Sequence, residues 1–121
     1  MPNVPRENPA RRVRDEQLAA AEDAWRRGDQ AAAAELLAPL ATAGVPRAQA
    51  MLGRVHEARA GQQPNYFEAY VWFSIAARGG EPGAASLKDK VASKLQPAEI
   101  RQAEQIVERW KPRAEATGGT P

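Results

Sequence analysis

Few side chains in this 121-residue chain could do chemistry. It holds one imidazole, His56, and no cysteine. The missing thiols exclude disulfides, thiol catalysis and Cys-based zinc, and a transition-metal or Ser-His-Asp site would have to be built around His56 alone. No second His accompanies it, so His56 reads as a partly buried polar residue. A hydrolytic acid pair could be drawn between Glu57 and Glu68, but nothing in their spacing demands one. These residues point to a protein that is not an enzyme, with no cofactor, metal or small-molecule substrate.

The second chemical feature is charge. Arg6, Arg11, Arg12 and Arg14 stand near the N-terminus against Glu7 and Asp15, so the first fifteen residues hold the whole net charge of +2. Four arginines can contact phosphates or an acidic surface, but they have no interleaved aromatics, and the remaining chain is neutral by count. Nucleic acid is therefore the weaker of two readings. Residues 1–14 also carry Pro2, Pro5 and Pro9 with little apolar surface, which predicts a disordered basic arm. Residues 112–121, ending Gly-Gly-Thr-Pro, predict a disordered tail.

The elements between must be helical. The chain contains 26 Ala against seven Val and three Ile, which favours helix over strand. No apolar run approaches the ~20 residues that span a bilayer, so no membrane insertion is expected. No export signal opens the chain as given, which implies the cytoplasm; a Met1 that replaces a removed signal peptide would imply the periplasm or export.

Six helical segments are predicted, separated by Gly and Pro. The first starts with Asp15 as its cap and ends at Gly28; Leu18, Ala21, Glu22 and Trp25 share one face. The second starts at Asp29, carries Pro39 inside it with a kink expected there, and ends at Gly44 as C′. The third runs from Pro46, with Ala48, Met51, Leu52 and Val55 on one side. Asn65 caps the fourth, whose Ala69, Trp72, Phe73, Ala76 and Ala77 form the most apolar stripe of the chain. The fifth is expected from about Pro82 to about Leu95, and the sixth from Pro97 until Pro112 stops it. Gln96 is a weak cap for that last helix, with Glu99 placed to complete a capping box. Links this short impose antiparallel hairpins, at residues 15–44, 46–80 and 82–111.

The chain also repeats. A shift of 36 positions lays Asp29 on Asn65, Ala33 on Ala69, Leu36-Leu37 on Trp72-Phe73, Gly44 on Gly80 and Ala48 on Ala84. Cap, small residue, bulky pair and terminating glycine all coincide. Ala48, Leu52 and Gly53, followed by Gly61, Asn65, Ala69, Trp72, Phe73, Ala76, Ala77 and Gly80, resemble the Sel-1-like repeat, a relative of the tetratricopeptide repeat. The pattern departs at His56, usually Tyr in that family, and at Asn65, usually Asp. One full repeat matches, with a degenerate half-repeat before it, and the segment from Leu87 to Pro112 is similar to the closing helices of bacterial members.

The resemblance implies a short right-handed α-solenoid of about three hairpins, used as a scaffold for a protein or peptide partner, as a monomer or weak homodimer. First helices would line an inner surface. On the helical wheel Gln17, Asp23 and Arg27 turn outward from the first helix. Arg54 and Glu57, with Ala50, do so from the third, and Asp89 and Lys90 from the fifth. These seven polar residues are the candidate contacts.

Overall fold

Cap residues set where the helices start. The Asp29 and Asn65 side chains each accept a backbone N–H inside the helix they precede, from Ala32 and Glu68, both at 3.0 Å. Pro46 and Pro97 occupy first helical positions, where a missing N–H costs nothing. In the computed structural model, which describes residues 8–59 and 62–113, the result is six α-helices and, among the described residues, no strand. They are α1 (Pro9–Arg26), α2 (Gln30–Thr42), α3 (Pro46–Ala58), α4 (Tyr66–Arg78), α5 (Ala84–Ala92) and α6 (Pro97–Arg109). The described residues are all-α, with the repeat-like character the sequence suggested.

That repeat is physical. Gly44 and Gly80 hold φ of +100° and +90° after α2 and α4, a region glycine enters without Cβ strain. Behind them Val45 donates to the Leu40 carbonyl at 3.1 Å and Glu81 to that of Ala76 at 3.0 Å, the same reverse-turn closure twice. The related positions Ala33 and Ala69, Leu37 and Phe73, and Ala48 and Ala84 are all fully buried.

Successive helices pack as neighbours from α1 through α5, and α6 lies on α4. One apolar cluster joins α1, α2 and α3 around Ala21, Leu37, Leu40 and Leu52; another joins α4, α5 and α6 around Phe73, Val91, Ala103 and Val107. Trp72 packs against both, and its ring meets Trp110 edge to face, with centroids 6.4 Å apart. Trp25 and Trp110 each pack against one of the clusters.

The structure corrects several boundaries. α1 begins at Pro9, with Asn8 as its cap accepting from Ala10 N–H at 3.0 Å, and Asp15 lies exposed within the helix. Residues 9–14 are thus helical, not an arm: Ala10 and the straight-chain arginines suit a helix that the buried part of α1 already nucleates. Residues 1–7 and 114–121, where the rest of the arm and most of the tail were expected, lie outside the described residues, as does Gly61. α2 passes through Pro39 to Thr42. α5 starts two residues after Pro82, because Gly83 at φ +83° interposes a turn, and it ends at Ala92. α5 and α6 approach each other less closely than each approaches α4, against which both pack, and they share one apolar cluster with it. α6 ends at Arg109, and the chain then crosses to α2, where Arg113 N–H donates to the Thr42 carbonyl at 2.8 Å.

Candidate functional site

Helices α1 and α3 run in the same direction, each being joined to α2 by a tight turn. A side chain from one can therefore reach the other, and Arg47 Nε of α3 donates to Glu22 Oε2 of α1 at 3.0 Å, with its terminal nitrogen on the same oxygen. Both partners keep contact with water, so the pair orients the helices more than it stabilises them. Glu22, with Glu81 adding its field, raises the Arg47 pKa above the usual arginine value.

Beside this pair opens a groove of about 380 Å³. Trp25 and Arg26 of α1, Ala50, Met51 and Arg54 of α3, and Leu87 of α5 line it, with Glu81 and Pro82 from the turn before α5. It is thus built by the first helix of each pair. Its floor is apolar and its rim charged, with cations in the majority. Ala50, expected to face outward, is buried against Ala76 and Ala84 and forms part of that floor, because α5 enters close against α3 at Ala84.

Of the seven candidate contacts, the groove holds Arg54. Asp23 and Arg27 bond to each other along α1 at 2.6 Å, and Arg26 approaches Asp23 at 3.8 Å. Gln17 is half-buried, and its Oε1 is enclosed without a hydrogen-bond partner among the described residues. Glu57 is half-buried, and Asp89 and Lys90 are exposed on α5; all three lie away from the groove lining. The other lining residues, Glu22, Trp25, Arg26, Arg47 and Met51 among them, were not candidates from the sequence. The spacing of Arg47, Ala50, Met51 and Arg54 traces one stripe along α3 and could have marked them, but it borders the apolar face and reads as core edge.

The lone imidazole sits elsewhere. His56 is half-buried near the end of α3, where burial pushes its pKa down; Glu68 opposes that shift and Arg59 adds to it. Among the described residues, no group of three or more His, Cys, Asp or Glu side chains is placed to hold a metal ion. No helix among them is long and apolar enough to cross a membrane.

The chain matches no protein-family model, no curated protein and no solved structure.

Proposed function

We propose that this protein is a non-enzymatic interaction module of the Sel-1-like repeat type, a short right-handed α-solenoid that holds a peptide or partner helix along α1, α3 and α5. One observation carries the reading: the first helices of successive pairs converge on a single groove with an apolar floor at Trp25, Ala50, Met51 and Leu87. Binding grooves commonly combine such a floor with a few placed polar groups. The 36-residue recurrence of caps, buried residues and turns supports the repeat architecture.

The test is selection from a random peptide library on the immobilised full chain, followed by mapping of the selected peptides by NMR. Shifts confined to the Trp25 indole and the Met51 methyl support the reading. Selected peptides that leave these signals unmoved refute it.

A second reading, binding of nucleic acid or another acidic surface, draws on Arg11, Arg12 and Arg14, all exposed on the first turns of α1. Since these belong to a helix, charge reversal of Arg11 and Arg14 tests it more cleanly than deletion of residues 1–14. Salt-sensitive binding to a duplex oligonucleotide that this reversal abolishes would favour the second reading.

A further inference from the structure

The charges around the groove are not evenly distributed. Glu22 is engaged by Arg47, and Glu81 follows Gly79, whose backbone abuts Pro46 next to Arg47, so both groove carboxylates lie at the Arg47 end. Arg54 lies two helical turns further along α3, on the order of 10 Å away at 1.5 Å per residue. It is exposed and makes no ion pair or hydrogen bond among the described residues. Arg26 lies on the same side of the Glu22–Arg47 pair, one turn beyond Glu22 on α1. Its acid is Asp23 at 3.8 Å, and Arg27 holds that same carboxylate more closely at 2.6 Å. The groove therefore carries an excess of carboxylate at the Arg47 end and of guanidinium at the other.

Resting on the function proposed above, we infer that the occupant of this groove is an acidic peptide segment, its carboxylates meeting Arg26 and Arg54 and its aliphatic side chains lying on Trp25, Met51 and Leu87. Guanidinium groups suit this task, since their planar donors match a carboxylate two bonds at a time. The indole and thioether beside them accept varied apolar groups. A basic segment would instead bring like charge against Arg26 and Arg54, while the two carboxylates of the groove lining, Glu22 and Glu81, lie at the Arg47 end and Asp23 is held by Arg27.

Three fluorescein-labelled peptides serve as probes: a short Glu/Leu sequence, its Gln-for-Glu twin and its Lys-for-Glu twin. Anisotropy titrations use the full chain and the double variant Arg26→Glu/Arg54→Glu, whose melting temperature is compared with the parent. The expected result is that the parent binds the Glu/Leu probe at least about tenfold more tightly than either twin. The preference weakens with added salt, and the double variant prefers the Lys/Leu probe. Equal affinity for the Glu and Gln probes, with the Trp25 indole shifted by both, overturns the acidic assignment and leaves the groove standing. Binding that leaves Trp25 unmoved, or no binding of any probe, overturns both.

Discussion

The ring of Phe73 in α4 occupies the space a side chain would need at Gly53 in α3: a Cβ there would lie 2.6 Å from Phe73 Cε1 and 2.7 Å from Cδ1. Close approach of α3 and α4 thus depends on one residue being as small as possible and the other filling what remains. Gly53→Ala gains helix propensity of about 0.5–1 kcal/mol, but the fully buried ring has nowhere to move. The net effect expected is a loss of about 1–2 kcal/mol from overpacking. Urea unfolding of Gly53→Ala, Phe73→Leu and the double variant checks this, with the double variant more stable than the two single losses add up to. Simple additivity would show that the two positions do not share one space.

The burial of His56 implies a pH dependence of stability with a definite sign. Its folded-state pKa is depressed, chiefly by burial, so the unfolded chain takes up the proton first as pH falls. Stability is unaffected by this group above its ordinary pKa of about 6.5, declines as pH drops below it, and levels off once the folded-state pKa is passed. His56→Gln should flatten this part of the curve. Urea midpoints between about pH 7.5 and about pH 5, where most carboxylates remain charged, make the comparison; equal slopes for parent and variant would reject this account.

Arg78 reaches from α4 to the last turn of α6, where its Nη1 donates to the Val107 carbonyl at 2.7 Å. That carbonyl also accepts the Trp110 backbone N–H at 3.2 Å, and a cation at this end complements the helix dipole. Arg78→Met keeps the apolar stem and removes the donor. The cost expected is about 1–2 kcal/mol, with amide exchange accelerated in α6 before α3. Uniform acceleration would mean that Arg78 supports the whole fold and not this junction.

The start of α6 allows a stabilising change. Glu99 Oε1 accepts the Gln96 backbone N–H at 2.8 Å, the reciprocal half of a capping box. Thr is a better N-cap than Gln, so Gln96→Thr should add about 0.5 kcal/mol. A thermal melt with no gain would count against cap control of this end.

How much of this was legible in the residues depended on whether the signal was local. Asp29, Asn65, Pro46, Pro97, Gly44 and Gly80 act on their own turns, and each does what its type suggests. The start of α1 was misread because an Arg-rich stretch with prolines looks unable to fold, whereas a helix already held at Ala21 and Ala24 can extend outward without further burial. The groove was harder still. Its lining depends on how α5 meets α3, and that is fixed by the small contacts of Ala50, Ala76 and Ala84 across three helices. Buried Gln49 was missed for the same reason: its Nε2 donates to the Ala41 carbonyl at 3.0 Å, a partner that only tertiary structure reveals.

The crossing from α6 to α2 has a consequence for how the molecule is made. Most of the helix pairs close between neighbours in sequence, but the bond from Arg113 to Thr42 and the cover that Trp110 and Pro112 place over Gly44 join distant parts of the chain. Such long-range contacts carry a larger loop-closure entropy than those between neighbouring helices. A ribosome that has delivered α1 through α4 still lacks the indole that shields the edge of Trp72, so the nascent protein carries a wet, unlatched flank until Trp110 emerges from the exit tunnel.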